Sequence, residues 1–420
     1  MTTTGRPAPT ITEIRDRGGM RGALAFFGPA FVAAIAYVDP GNFATNFSAG
    51  ANYGYLLLWV IVAANLIAML IQTLSAKLGM ATGRNLPELC FEAFPRPVTR
   101  LMWAQAELVA IATDLAEVIG GAIALNLLFG LPLFLGGVIT GIVAFALLAL
   151  QSRGYRPFEL AIAGLLGVIL LGFLATTLRI DVDGGALASG LVPRFDGTES
   201  LLLATGILGA TVMPHVIYLH SALTTSRIRP RDVGERRFLM RRMQLDVVVG
   251  MGAAGLVNAA MLVIAAALFY GSPIPDTNTL QGVHAGLARA LDQPAAFAFA
   301  LALLASGFAS SGVGTYAGQV VMQGFIQRRI PLLVRRLLTL SPALVVLGMG
   351  LDPTHALVLS QVVLSFGIPF ALVPLVLLTR RRDLMAELVN GRATTVVASL
   401  IAVLIIGLNG FLIVRTIAGG

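Results

Sequence analysis

Residues 33–43 read AAIAYVDPGNF and residues 208–216 read LGATVMPHV. Each is a long apolar stretch that stops on helix-breaking and polar residues and then continues. The first apolar run, Gly22 to Val38, ends in Asp39-Pro40-Gly41-Asn42 and resumes at Phe43; the sixth, from about Leu201, breaks at Met213-Pro214-His215 and resumes at Val216. Proline lacks the backbone donor and glycine allows unusual dihedrals, so a helix opens at both places. Inside a bilayer an opened backbone is tolerated only where it lines a cavity or is buried in protein. Interrupted helices at matching positions in two halves of a chain predict a binding site near the bilayer midplane. The depth agrees: Leu201 to Met213 would rise about 20 Å as a helix, well into a hydrocarbon layer of roughly 30 Å.

The rest of the chain supplies the setting. Of 420 residues, 57% are hydrophobic and 12% charged, about half the charge of a soluble domain. Apolar runs fall at 22–50, 54–80, 100–126, 131–150, 157–178, 200–226, 244–270, 293–325, 331–350, 354–379 and 394–416. They lack the period-2 alternation of barrel strands, so the expected class is an all-α polytopic membrane protein with 11 transmembrane helices. Spans 1–5 (22–178) overlie spans 6–10 (200–379), which pairs the two broken helices. With five spans per half the repeat is inverted, and span 11 is an addition. The expected organisation is thus a polar cytoplasmic segment, 1–21, followed by one membrane domain, 22–420.

With the N-terminus placed inside, 25 of the 29 basic residues lie on the inner side, leaving only Arg179, Arg194, Arg289 and Arg415 elsewhere. That is the positive-inside bias, and it explains a net charge of +8 without nucleic acid. The basic loops 227–242 and 380–382 set topology and meet anionic lipid, and an odd span count leaves the C-terminus outside. The acids before span 6, Asp181, Asp183, Asp196 and Glu199, read as solvated outer-loop charge. The first 21 residues show no cleavable signal pattern. Cys90, the single cysteine, excludes an intrachain disulfide and a cysteine metal cluster.

Asp39 at mid-membrane costs roughly 2.5–3.5 kcal/mol on insertion scales, and a bound cation is the simple compensation. The bland alternative is that Asp39 caps the restarted half-helix. Asn42 adds an amide oxygen. Pro214 strips the helical donor from the carbonyl four residues back, that of Ala210. Met213 adds a thioether, a poor ligand for Mg²⁺ or Ca²⁺ and an acceptable one for softer ions, so the set points to Mn²⁺ or Fe²⁺. In span 3, Glu107, Asp114 and Glu117 lie within three turns, with Glu107 and Asp114 on one face. Three acids in one membrane helix are too costly to be packing alone. Arg335 and Arg336 open span 9 and can pair with them, either as a proton route or as a static network. His215 and His220 sit beside the second break, about 140° apart around a helix, unsuited to chelating one ion and suited to carrying protons. Gly314 and Gly318 in span 8 predict close helix packing.

Asp39-Pro40-Gly41-Asn42 together with Met213-Pro214-His215 and His220 resembles the Nramp family of divalent metal transporters, most of all its bacterial proton-coupled manganese members. The similarity extends over nearly the whole chain, including Gln105 to Glu117 and Ser360-Gln361. It implies a LeuT-like fold with helices 1 and 6 unwound, in a bacterial cytoplasmic membrane. It implies a metal held by Asp39, Asn42, the Met213 sulfur and the Ala210 carbonyl, with Gln361 added in some states. It further implies protons passing Asp39 and leaving through Asp114, Glu117, Arg335 and Arg336, with His215 tuning the path; Glu107, on the same helix, is a further candidate for it. Ser48 stands where many members carry Gln or Glu, which implies a difference in the outer vestibule. The ion is cargo, so no cofactor is expected; lipid, metal ions and protons are the partners, with neither nucleic acid nor an obligate protein. A Na⁺-coupled small-solute transporter of the same fold is the main rival, disfavoured by Met213. An intramembrane hydrolase lacks its motifs, and a channel would need a continuous polar pore.

Overall fold

A computed structural model describes residues 28–152, 155–225, 232–327 and 331–417. The expected cytoplasmic segment 1–21 and the basic residues Arg153, Arg227, Arg229, Arg231, Arg328 and Arg329 lie outside these. All regular structure among the described residues is helical: α1 (Pro29–Ala36), α2 (Pro40–Tyr53), α3 (Leu58–Thr82), α4 (Leu86–Ala93), α5 (Arg96–Phe129), α6 (Leu133–Ser152), α7 (Tyr155–Thr177), α8 (Gly184–Ser189), α9 (Gly197–Thr211), α10 (Pro214–Leu223), α11 (Val233–Phe269), α12 (Leu280–Ala290), α13 (Gln293–Ile326), α14 (Leu332–Gly348), α15 (Pro353–Thr379), α16 (Arg382–Met385) and α17 (Arg392–Ile417).

Eight described helices are long and apolar enough to cross a membrane, α9 and α10 counting together. The other three expected spans are also helical. Span 1 is cut into α1 and α2; span 4 is α6; span 9 is α14, 17 residues long with Pro342 inside it. Large apolar side chains such as Leu66, Leu108, Ile142, Leu171 and Leu404 are at least 57% exposed. A water-soluble protein would bury such a belt; in a bilayer these side chains face lipid. The short helices α4, α8, α12 and α16 went unforeseen because they lie between apolar runs. Local caps start three of them: Asn85 and Glu88 close a capping box on α4, Asp183 caps α8 and Thr279 caps α12.

The buried centre positions the breaks. The half-helix α2 packs on α9 and α11, α9 packs on α15, and the long α5 and α13 run against each other beside them. The last helix, α17, is tied to α15 by Asn409, whose amide donates to the Ser365 carbonyl at 2.9 Å and whose oxygen accepts from Ser365 Oγ at 2.9 Å. Ser48 donates to the Asn278 carbonyl at 3.1 Å, between α2 and the loop before α12.

Candidate functional site

The first break falls two to three residues earlier than the sequence suggested. The unwound residues are Tyr37 to Asp39; Pro40, Gly41 and Asn42 already belong to α2. Proline fits the first helical position, where no N–H is needed, and Asp39 caps the turn by accepting from the Asn42 backbone at 2.9 Å through Oδ1. The cap reading therefore holds for one carboxylate oxygen only. Asp39 Oδ2 is buried and has no hydrogen-bond partner. Unwinding also frees carbonyls at the end of α1, and two are taken up from neighbouring helices. Asn258 Nδ2 donates to the Tyr37 carbonyl at 2.9 Å, and Ser306 Oγ donates to that of Val38 at 2.6 Å.

The second break comprises Val212 and Met213, with α10 restarting at Pro214 rather than Val216 for the same reason. The Ala210 carbonyl leaves the helical ladder and accepts from Asn42 Nδ2 at 3.0 Å. That amide nitrogen also reaches Asp39 Oδ1 at 2.7 Å, so Asn42 stitches the two breaks together and leaves its own Oδ1 buried and unpartnered. Met213 is wholly buried in the same break.

Gln361 of α15 completes the junction. A Cβ on Gly41 would overlap its side-chain amide, and a Cβ on Gly209 would overlap its carbonyl. Only glycine lets the backbones of both breaks come this close to α15. Gln361 Oε1 is likewise buried without a donor, while Nε2 donates to Ser360 Oγ at 3.1 Å. Three side-chain oxygens without donors and one diverted carbonyl thus belong to residues that meet where the breaks meet. Each unpaired buried acceptor costs about 1–3 kcal/mol, a cost a desolvated cation would reverse. Among the described residues no group of three or more His, Cys, Asp or Glu is placed to hold a metal. What the junction offers is one carboxylate, neutral oxygens and a nearby thioether.

The acids of α5 pair with α14 as the sequence allowed. Arg335 donates to Glu107 at 3.1 Å, and Arg336 bonds both Asp114 and Ser311 Oγ. Glu117, one turn beyond, is buried with Oε2 unpartnered. The GxxxG expectation is corrected here. A Cβ on Gly314 would lie 2.8 Å from Glu117 Oε1, and one on Gly318 would overlap the Arg335 guanidinium. These glycines make room for charged side chains rather than for another helix backbone. His215 Nδ1 is 3.3 Å from Thr113 Oγ1 on α5, with Nε2 unpartnered. His220 points elsewhere: Nδ1 is 2.8 Å from Gln72 Oε1, and Gln72 in turn donates to the Tyr37 hydroxyl. The two histidines therefore serve different neighbours, α5 and α3. Sequence reading missed Asn258, Ser306, Ser311, Gln72 and Thr113. Their one signal was a polar side chain inside an apolar helix.

An all-helical membrane protein whose two interrupted helices meet around buried oxygen donors is a broken-helix secondary transporter by class. The chain belongs to the Nramp family: the family described as "Natural resistance-associated macrophage protein-like" matches residues 30–415. It is 54% identical over 414 residues to the divalent metal cation transporter MntH of Deinococcus radiodurans, covering 99% of this chain and 95% of that protein. It is 53% identical to the protein of the same name from Bacillus subtilis, over 95% and 94% of the two chains. Among solved structures it is similar to a mutant of the Eremococcus coleocola manganese transporter, with TM-score 0.83 and 35% identity over 93% of this chain and 86% of that one. The nucleobase-cation-symport transporter Mhp1 shares the fold alone, with TM-score 0.62 and 16% identity over 87% of this chain and 81% of that one.

Proposed function

We propose that this chain imports divalent transition metal ions, Mn²⁺ and also Fe²⁺, across the bacterial cytoplasmic membrane by alternating access, driven by protons. The observation that carries the reading is the junction of the breaks. Asp39 Oδ2, Asn42 Oδ1 and Gln361 Oε1 are buried acceptors without donors, and the Ala210 carbonyl has left its helix. With the Met213 sulfur they make a mixed oxygen–thioether set of single negative charge, suited to a partly dehydrated ion softer than Mg²⁺ or Ca²⁺. Its relatives are named as divalent metal cation and manganese transporters. The ion is substrate rather than cofactor, and the protein is not an enzyme.

In this reading the metal enters from outside and binds between α1–α2 and α9–α10. Rocking or hinging of those helices then opens the inner side; the inverted repeats are 22–178 and 200–379, with 394–416 outside them. The basic residues support an inside N-terminus and an outside C-terminus. Protons pass from Asp39 by His215 to Asp114 and Glu117 and leave past Arg336, Arg335 and Glu107. Buried Glu117 has an oxygen to spare, which supports a relay over a static lattice of ion pairs. A Na⁺-coupled solute transporter of the same fold would have no use for a sulfur at Met213. Mn²⁺ uptake into proteoliposomes tests the site: Asp39→Ala is expected at background, and uptake at the normal rate overturns the assignment.

A further inference from the structure

A cleft of about 850 Å³ opens between α4, the first two turns of α5 and the end of α13, away from the junction of the breaks. Arg96 and Arg100 stand one turn apart on its α5 wall, and Trp103 follows on the next turn. Phe91, Leu101 and Phe325 supply apolar surface. Among the described residues no acid lines this cleft. The neighbouring Arg84 is paired with Glu92, whereas neither Arg96 nor Arg100 has an acidic partner among the described residues. Both arginines are exposed, and the Trp103 indole N–H is buried without an acceptor.

The cleft runs onto the lipid face of a membrane-spanning helix. Leu101 and Leu108, 61% and 57% exposed, continue one stripe of α5 beyond the arginines. Two guanidiniums and an indole N–H at one end, an apolar track at the other and an interfacial tryptophan match the two parts of a phospholipid. Basic pockets between helices on the inner side of a membrane favour anionic headgroups.

We propose that this cleft binds one anionic glycerophospholipid of the inner leaflet. Its phosphate lies on Arg96 and Arg100, and an acyl chain runs along Leu101 toward Leu108. Charge complementarity selects the occupant: a zwitterionic lipid brings a cation that no acid here would receive, and a free phosphate would leave the apolar track bare.

Two measurements on the full-length protein in neutral detergent test this. In native mass spectrometry, delipidated protein should retain phosphatidylglycerol roughly tenfold better than phosphatidylcholine. R96Q/R100Q should lose that preference while R194Q/R289Q, exposed residues away from the inner basic surface, keeps it. The second needs no arginine variant. The chain has two tryptophans, so Trp59→Phe leaves Trp103 alone. Its fluorescence should be quenched by brominated phosphatidylglycerol at roughly a tenth of the brominated phosphatidylcholine required. Equal quenching by the two lipids, an unchanged preference in R96Q/R100Q, or displacement of the lipid by millimolar inorganic phosphate would each overturn the proposal.

Discussion

Gly209→Ala tests how the junction is held together. A Cβ at Gly209 would run into the Gln361 carbonyl and stand 3.0 Å from the Ser365 nitrogen, both main-chain atoms of α15. No rotamer relieves a backbone contact, so α9 must back away from α15 and carry the Ala210 carbonyl with it. Overpacking of this kind costs about 1–3 kcal/mol, equivalent to a factor of roughly 5–150. Misplacing a binding group by about 1 Å can cost roughly 100-fold. The specificity constant kcat/KM for Mn²⁺ is therefore expected to fall about 10- to 100-fold, read as initial uptake rates in proteoliposomes over a Mn²⁺ titration. Gly206→Ala, one turn earlier on the same helix, is the control. Its Cβ would meet only the methyl of Thr45 at 3.2 Å and a methyl of Val362 at 3.9 Å, and it should stay within about twofold, as a side-chain tip can yield. A monodisperse Gly209→Ala protein with wild-type kinetics would refute the reasoning.

Other consequences follow from neighbouring contacts. Met213→Ala should let Ca²⁺ compete better against Mn²⁺ uptake, and an unaltered inhibition profile would remove the thioether filter. Glu117→Gln, and Asp114→Asn separately, should weaken metal-linked acidification of the vesicle lumen while metal binding by calorimetry persists; undiminished proton flux would favour a static network. Ser306→Ala leaves the Val38 carbonyl without its donor, a loss of about 1–3 kcal/mol in stability, visible as a lower thermal midpoint, while Ser341→Ala on an exposed site should leave the midpoint unmoved.

The breaks were legible because Pro and Gly act locally, and a carboxylate in an apolar run has no cheap explanation. Their register was harder to read. Whether Pro40 ends one helix or begins the next depends on a cap, and Asp39 proved to be cap and orphan acceptor at once. The pairing of Arg335 and Arg336 with Glu107 and Asp114 could be anticipated from opposite charges in apolar helices. The roles of Asn258 and Ser306 could not, since the carbonyls they satisfy lie 221 and 268 residues away. Gly314 and Gly318 misled for a related reason: the spacing reports close approach but not whether a helix or a guanidinium fills the gap.

The most direct measurement is anomalous diffraction from a Mn²⁺-soaked crystal of this chain. The account predicts one strong peak between the two unwound segments, within coordination distance of Asp39 Oδ2, Asn42 Oδ1, the Ala210 carbonyl and Met213 Sδ. A peak elsewhere in the bundle, with those four atoms bare, would contradict it.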